Sequence, residues 1–317
     1  LNFLVSDGRN INLIQDAKVT WRGSIDGGGI IQIVNRAEKE NSFLLLTAES
    51  VYSFSADNKR LEKIYQGQEL TAFDTDNLGN RLIIGSKKGY IVYDLKGGKQ
   101  LGSLHEKLPW TEITAVKVLG DKYWFGTTKG AFAVNKNDQI DYYSSERWLP
   151  DDYVFQITPG KDGEVLVLTK AGIGEICFKK MSLQEKADFY EQQVRSRHIR
   201  NGFNASLVRM EKGNLSTGYM SDSDNDGLWT SLYLASQAFR YSTTAEPEAL
   251  NNCIESLDAI ERLYTINPVP GFPARSFERT GHIDELSDSE RWQKSPDPEW
   301  VWKSTTSSDE VIGHIFA

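Results

Sequence analysis

Cysteine is nearly absent from this chain of 317 residues, which has only Cys177 and Cys253. With one thiol in each half, no disulfide framework can be read from the sequence, and each cysteine is most simply a small buried apolar residue. Neither has a base beside it in the sequence, so a thiol nucleophile is rejected. The redox compartment is left open.

Long apolar runs and an excess of positive charge are also missing. No run is long enough to span a bilayer, and residues 1–20 lack the cationic start and apolar block of a signal peptide. A mature secreted chain would look the same. The 36 basic and 44 acidic side chains give a net charge of −8, which argues against nucleic acid or an anionic membrane as the partner.

A repeat of about 40 residues organises the first half. Four short apolar strands start at Ile30, Leu70, Ile113 and Val154, at intervals of 40, 43 and 41 residues. Each is followed by a second strand, a tight turn and a third strand. The second strands are predicted at Phe43 to Thr47, Arg81 to Gly85, Lys122 to Gly126 and Val165 to Thr169.

This period is typical of a β-propeller blade. The sequence predicts an all-β propeller over residues 1–179, with four clear blades and a partial unit from Asp16 to Gly29. So few blades indicate either a small propeller or further blades outside this chain. The segment Trp124–Gly130 has the pattern W-x-G-T-x-x-G and resembles the blades of sensor-type regulator propellers.

Residues 180–317 change to a helical period, which predicts an all-α second domain. Ser182 and Glu185 form a capping box, and an apolar stripe continues from there to about His198. Further helices are predicted at about 227–241 and 247–264, and a short one begins near Ser308. That last helix is too short to stand alone, so we expect the natural polypeptide to continue and the domain to be truncated at its carboxyl end.

The acidic tract Asp222–Trp229 is the strongest indication of a site, because three aspartates and Asn225 precede a helix. Asp222, Asp224 and Asp226 match the start of an EF-type calcium loop, but Tyr233 stands where that loop has its bidentate acid. Asp224 or Asp226 could instead cap the helix, or the tract could bind sugar hydroxyls. The sequence leaves Ca²⁺ binding, capping and sugar binding open.

Three segments together resemble the entry to the (α/α)6 barrel of bacterial rhamnosyl-glucuronate lyases, which are polysaccharide lyases of capped arabinogalactan-type glycans. They are Arg197–Phe203, Asp222–Tyr241 and Pro270–Ser276. The resemblance covers about residues 180–317, and fewer helices are visible than a closed barrel needs. It implies a secreted enzyme, periplasmic or extracellular, that acts on a plant-type acidic polysaccharide or oligosaccharide and requires no cofactor.

β-Elimination at a uronic acid needs donors on the C5 carboxylate, a base for the C5 proton and an acid for the departing O4. The catalytic candidates are His198, Arg200, Tyr219, Tyr233, Arg275 and His282, with His314 a further group for proton transfer. The substrate-binding candidates are Asp224, Asn225, Asp226, Trp229, Arg279, Trp302, Lys303 and Asp309. The resemblance also implies a tyrosine base, which matches no particular residue of this chain.

Each candidate also has a purely structural explanation. His198 and Arg200 end a helix, where positive charge complements the helix dipole, and tryptophans such as Trp229 and Trp302 are commonly core or loop anchors. Two other functions stay open. One is a non-catalytic glycan-binding or sensor module, and the other is a glycoside hydrolase that uses Asp226 with Asp309 or Glu310.

Overall fold

The computed structural model describes residues 2–25, 28–36, 39–145, 147–211, 214–282 and 286–317. The chain divides into two compact units, Leu1–Lys179 and Lys180–Ala317. Within the described ranges, no helix is both long enough and apolar enough to cross a membrane.

As far as its residues are described, the first unit is all-β and has five consecutive antiparallel sheets, here called blades 1 to 5. Blade 1 contains β1 (Asn2–Ser6), β2 (Asn10–Gln15) and β3 (Lys18–Ser24). Blade 2 contains β4 (Ile30–Asn35), β5 (Ser42–Thr47), β6 (Ser50–Ser55) and β7 (Arg60–Gln66). Blade 3 contains β8 (Leu70–Thr75), β9 (Arg81–Ser86), β10 (Gly89–Asp94) and β11 (Lys99–His105). Blade 4 contains β12 (Ile113–Leu119), β13 (Lys122–Thr127), β14 (Gly130–Val134) and β15 (Ile140–Tyr143). Blade 5 contains β16 (Val154–Pro159), β17 (Val165–Thr169) and β18 (Gly172–Ile176).

This arrangement fits the predicted propeller, and the predicted second strands of blades 2 to 5 are confirmed. Two details were wrong. The partial unit from Asp16 to Gly29 is the end of a three-stranded blade that starts at Asn2, although residues 26 and 27 lie outside the described ranges. Three blades also have a fourth strand, which is mostly exposed and polar and so lacks a clear apolar signal.

Four apolar clusters hold the five blades together, one between each blade and the next. Strand β5 shows why, because it is buried on both faces. Phe43 and Leu45 pack toward blade 1, whereas the alternate residues Leu44 and Leu46 pack toward blade 3. We call the face toward the preceding blade the trailing face. The face toward the following blade is the leading face.

Two glycines let neighbouring blades approach closely. A Cβ added at Gly85 would lie 2.5 Å from Cγ2 of Ile113, and one at Gly126 would overlap Cγ1 of Val154. Any side chain at either position would therefore force the blades apart. This explains the glycine of the W-x-G-T pattern as a packing requirement.

A buried hydroxyl closes the turn after the second strand in blades 2 to 5. The residues are Thr47, Ser86, Thr127 and Thr169, and each hydroxyl donates to the carbonyl oxygen three residues later. In blades 2 to 4 the side-chain hydroxyl oxygen also accepts a hydrogen bond from a backbone N–H in the turn. The threonine of the W-x-G-T pattern thus satisfies polar groups of the turn.

In its described ranges, the second unit contains four α-helices, α1 (Leu183–Arg197), α2 (Asp226–Thr244), α3 (Pro247–Thr265) and α4 (Ser308–Phe316). Short strands form two hairpins, β19 (Ile199–Arg200) with β20 (Phe203–Asn204) and β21 (Leu207–Val208) with β22 (Tyr219–Met220). A third sheet has the order β23 (Phe277–Arg279), β25 (Trp300–Lys303), β24 (Trp292–Lys294). The predicted helices and the capping box of Ser182 with Glu185 are confirmed, but the prediction of an all-α domain is only partly right.

The core of the second unit lies between α3 and the sheet of β23 to β25. It contains Phe203, Leu263, Phe277, Trp300 and Trp302, among others.

The two cysteines were expected to be buried apolar residues. Instead, Cys177 is exposed and Cys253 is only half-buried.

Candidate functional site

A buried ion-pair centre surrounds the first residue of α2. The guanidinium of Arg200 donates to Oδ2 of Asp226 at 2.7 Å and to Oε2 of Glu278 at 2.6 Å. Ser276 accepts from Arg200 at 2.7 Å and donates to Oδ2 of Asp226 at 2.5 Å. Asp226 is completely buried, so this centre joins α2 to β19 and β23 by charge-assisted bonds that water does not screen.

Burial also changes the protonation of this centre. Removal from water raises the pKa of Asp226 from 3.8 to about 6, although Arg200 and Ser276 oppose the rise. For Glu278, burial is outweighed by hydrogen bonds from the Arg279 backbone, Asn201 and Arg200, which hold its pKa below the usual value. The two carboxylates on one guanidinium therefore titrate in different ranges.

Substituting Asp226 with asparagine should change how the stability of the second unit depends on pH. Between about pH 4 and 6, Asp226 ionises in the unfolded chain but keeps its proton when folded, so the wild type loses about 3 kcal/mol of unfolding free energy relative to the variant as pH rises. Urea unfolding at several pH values measures this. Asp309→Asn, in an exposed residue, is the control, and a pH-independent difference for Asp226→Asn would contradict the assignment.

A second buried centre lies around the ammonium of Lys303. Its Nζ is 3.0 Å from Oδ2 of Asp222, 3.1 Å from Oδ1 of Asp224 and 3.0 Å from Oδ2 of Asp288. It also lies 2.8 Å from Oγ of Ser287. Although burial opposes ionisation of Asp222, hydrogen bonds from Ser287 and Lys303 hold its pKa below the usual value. Lys303 thus neutralises the acidic tract from inside the protein.

The predicted calcium ligands do not form one set. Asp222 and Asp224 bind Lys303, whereas Asp226 binds Arg200. Among the residues that the structure describes, the group of three ligand side chains close enough to share a metal is Glu164, Glu175 and Cys177, in blade 5. Two internal cations, Lys303 and Arg200, therefore bind the three carboxylates that the calcium interpretation gave to one ion.

The start of α2 is capped by a distant acid. Asn225 is the residue before the helix, and its side chain does not cap it. Instead, the buried carboxylate of Glu310 accepts from the backbone N–H groups of Gly227 at 2.8 Å and Leu228 at 3.2 Å. Of the alternatives left open by the sequence, capping by Asp224 or Asp226 is not what the structure shows, because both side chains bind cations.

A polar network connects α1, α2 and α3. Tyr233 donates to Oε1 of Glu191 at 2.7 Å, and Gln237 and Asn252 donate to the same carboxylate at 2.9 and 3.0 Å. Burial and the neighbouring Glu191 raise the pKa of Tyr233. A tyrosine that donates to a carboxylate and ionises with more difficulty than usual is a poor general base, so the structure does not support that role for Tyr233.

An open cleft of about 480 Å³ lies beside the Arg200–Asp226 centre. Its lining residues are Asn204, Ser206, Ser223, Trp229, Leu232 and Tyr233. Trp229 is 48% exposed. The backbone N–H of Ser223 donates to Oδ1 of Asp226 at 3.0 Å, and that of Asn204 donates to Oγ1 of Thr230 at 3.0 Å. Two segments of the cleft wall are thus held in place by hydrogen bonds to buried side chains of α2.

His198 is joined to the same cleft wall. It is the residue that ends α1, and its Nδ1 lies 3.0 Å from the carbonyl oxygen of Ala205, between the lining residues Asn204 and Ser206. Because a carbonyl oxygen can only accept, this contact requires a proton on Nδ1. In the neutral ring, Nε2 then has the free lone pair.

The other predicted residues have different partners. Arg275 binds Asp224, Arg279 binds Glu299 and stacks on Trp300, and Tyr219 lies under Arg209. His282 and Asp309 are exposed, and Asn225 accepts from Ser307. Trp302 and Lys303 are buried, so the prediction that they bind substrate is not supported.

Sequence reasoning missed several residues of the buried centres. Glu278, Asp288 and Ser276 do not belong to any short sequence motif. Only the structure shows that they bind Arg200 or Lys303. Glu310 was named only as an alternative to Asp309, although Ser307-x-x-Glu310 has capping-box spacing and Ser307 does accept from the Glu310 N–H at 3.2 Å. That spacing was a usable signal for the buried acid.

No family model and no curated protein matches this chain. Among solved structures, it is similar to the extracellular domain of the one-component system BT4673 from B. thetaiotaomicron, with 15% identity and a TM-score of 0.46 over 57% of this chain and 27% of that one. It is also similar to the WD40 β-propeller domain of Doa1, with 13% identity and a TM-score of 0.46 over 56% and 63%. Streptogramin B lyase gives 14% identity and a TM-score of 0.44 over 53% and 57%. The chain spans less than two thirds of the length of each, and none is a rhamnosyl-glucuronate lyase.

Proposed function

We propose that the second unit binds a saccharide in the cleft beside Trp229, as part of a secreted carbohydrate-active protein. The observation that carries this proposal is the half-exposed indole of Trp229 in a cleft that also has polar side chains from Asn204, Ser206 and Ser223. An aromatic face stacks on the C–H side of a pyranose, while amides and hydroxyls bind its hydroxyl groups.

The lining also favours a class of sugar. Trp229 and Leu232 offer apolar surface, and none of the lining residues is a lysine or arginine. A deoxyhexose such as rhamnose, whose C6 is a methyl group, fits such a surface better than a uronate, whose carboxylate needs a cation. We therefore assign the neutral, rhamnose end of a capped acidic glycan to this cleft.

Replacing Trp229 with alanine should weaken binding of a rhamnose-terminated glucuronoglycan by about tenfold, because the stacking surface is lost. Isothermal titration calorimetry with the oligosaccharide measures the change. Trp148→Ala, which removes an exposed indole of the first unit, is the matched control. Equal affinity of the wild type and Trp229→Ala would show that this cleft is not the sugar site.

A second candidate function is β-elimination at the rhamnose-glucuronate linkage, and the tautomer of His198 favours it. With Nδ1–H held by Ala205, the neutral ring has its lone pair on Nε2, which is the atom that would take the C5 proton. The C4–O4 bond then breaks, a C4=C5 double bond forms, and the departing O4 takes a proton from the imidazolium of His198 or from water. Arg200, Arg275 and Lys303 are already bound to carboxylates, so binding without catalysis is the preferred proposal.

The two candidates differ in a simple assay. If elimination occurs, the ultraviolet absorbance of the unsaturated uronate should rise when the glycan is added, and His198→Gln should abolish the rise while binding persists. Gln193→Ala, in the same helix, is the control variant. Binding without any rise in absorbance would leave the saccharide-binding proposal standing and exclude elimination by this chain.

A further inference from the structure

A second concavity continues from the Trp229 cleft along α2. It is an open groove of about 490 Å³ between α1 and α2, and Tyr233 lines both this groove and the cleft. The two concavities therefore meet at the Tyr233 side chain. The α2 residues that line the groove beyond this point are Ser236, Gln237, Phe239, Arg240, Thr243 and Thr244.

The cleft and the groove share one stripe of α2. Its positions follow one another at steps of three or four residues, which places them on the same side of the helix. They are Trp229, Tyr233, Ser236, Arg240 and Thr243. From the first to the last of these the helix rises about 21 Å, at about 1.5 Å for each residue, which is long enough for about four pyranose units in a row. A single terminal sugar would fill only part of this length.

The groove offers aromatic rings to a sugar. Tyr190 of α1 and Phe239 of α2 both line it, and they are 57% and 74% exposed. An aromatic face packs against the C–H side of a pyranose, as proposed for Trp229 in the cleft. The groove thus provides the same type of contact surface as the cleft.

Several polar side chains of the groove are hydrogen-bond acceptors. The hydroxyl groups of Ser236 and Thr243 donate to carbonyl oxygens of α2 itself, at 2.7 and 3.0 Å, which leaves lone pairs on their oxygens. Asp188 of α1 accepts from Gln184 at 2.8 Å through one carboxylate oxygen, and a carboxylate can accept further bonds. Sugar hydroxyl groups, which can donate, fit such a lining.

The charges of the groove disfavour acidic sugar units. Asp188 and Glu191 contribute carboxylates, and Arg240 is the cation among the described lining residues. The guanidinium of Arg240 already lies 2.5 Å from Glu246 and 3.6 Å from Glu248. A uronate carboxylate would therefore meet like charges without a free cation to offset them. The lining fits a neutral, hydroxyl-rich ligand better.

We propose that the cleft and the groove form one elongated site for an oligosaccharide of about four units, with neutral sugars lying along α2 beyond Tyr233. This inference rests on the proposed saccharide-binding function, and it adds the length and the charge of the ligand. A chain of neutral sugars, rather than a run of uronates, would continue from the cap that the cleft binds.

Isothermal titration calorimetry with three ligands tests the proposal. They are the rhamnosyl-glucuronate disaccharide, the same disaccharide extended by three galactose units, and the same disaccharide extended by three glucuronate units. The wild type should bind the galactose-extended ligand at least about tenfold more tightly than the disaccharide. The glucuronate-extended ligand should show no such gain, because the groove has no free cation for its carboxylates.

Two variants alter the groove at exposed positions of α2. Phe239→Ala removes an aromatic ring from the lining, and Thr243→Trp fills the groove. In each, the gain from the three galactose units should fall to about twofold or less. Phe189→Ala removes an exposed ring of α1 that does not line the groove. It is the matched control and should keep the full gain.

The outcomes separate the groove from the cleft. If Trp229→Ala weakens binding of the disaccharide but the galactose-extended ligand binds the wild type no more tightly, the groove is overturned and the cleft proposal stands. If none of the three ligands binds the wild type, both are overturned. A gain that persists in Phe239→Ala and Thr243→Trp, or an equal gain for the glucuronate-extended ligand, would also overturn the assignment of the groove.

Discussion

Substitution of Lys303 with methionine is expected to destabilise the second unit by about 3–5 kcal/mol. The side chains of Lys303 and Asp222 are completely buried, and Asp224 and Asp288 also lie within 3.1 Å of the ammonium. Methionine fills a similar volume but has no charge. The carboxylate of Asp222 would then be buried away from water without a counter-ion. Removal of one partner of a buried ion pair costs far more than the pair contributes, because the remaining charge stays desolvated.

Urea unfolding of the second unit, followed by the fluorescence of its tryptophans, measures this loss. Lys294→Met is the matched control, because Lys294 is exposed on the neighbouring strand β24. The double variant Lys303→Met with Asp222→Asn should recover part of the loss, since a neutral amide costs less to bury than a carboxylate. A loss for Lys303→Met no larger than that for Lys294→Met would refute a structural role for the ammonium.

Substitution of Phe125 with alanine should destabilise the first unit by about 3–5 kcal/mol. Phe125 is completely buried between blades 3 and 4. Its ring centroid lies 4.5 Å from that of Tyr90 and 4.9 Å from that of Phe132. The strands on both sides are held by their own hydrogen bonds, so the blades cannot close fully over the space that the ring leaves.

Thermal unfolding monitored by circular dichroism provides the measurement for the first unit. Leu78→Ala is the control, because Leu78 is an exposed apolar residue of blade 3 and its removal should change the midpoint little. Phe125→Leu should cost less than Phe125→Ala, since more of the volume is retained. Equal midpoints for Phe125→Ala and the wild type would mean that the junction between these blades contributes little to stability.

The blades were predictable because their signals are local. Short apolar strands and a hydroxyl at the end of the second strand recur about every 40 residues, and three of the four turns have a glycine, so one unit supports the next. The capping box at Ser182 was local in the same way. The polar fourth strands escaped because the strand at the outer edge of a blade buries little and so has a weak pattern.

The site was less predictable because its partners are far apart in sequence. The aspartates of the tract were singled out correctly, but nothing in their spacing indicates that Lys303, about 80 residues later, neutralises two of them. Arg200 was named as a catalytic candidate, and only the fold shows that Asp226 and Glu278 already bind it. Burial, which decides between ligand binding and an internal ion pair, is a property of the tertiary structure.

The cap that Glu310 places on α2 links the order of folding to the order of synthesis. As the chain leaves the ribosome, the first turn of α2 emerges more than 80 residues before the carboxylate that satisfies its N–H groups. Until then the turn can only bond to water and should fray. We expect amide hydrogen exchange at Gly227 and Leu228 to stay fast in nascent chains and to slow only when α4 docks, which makes these two amides reporters of the completed unit.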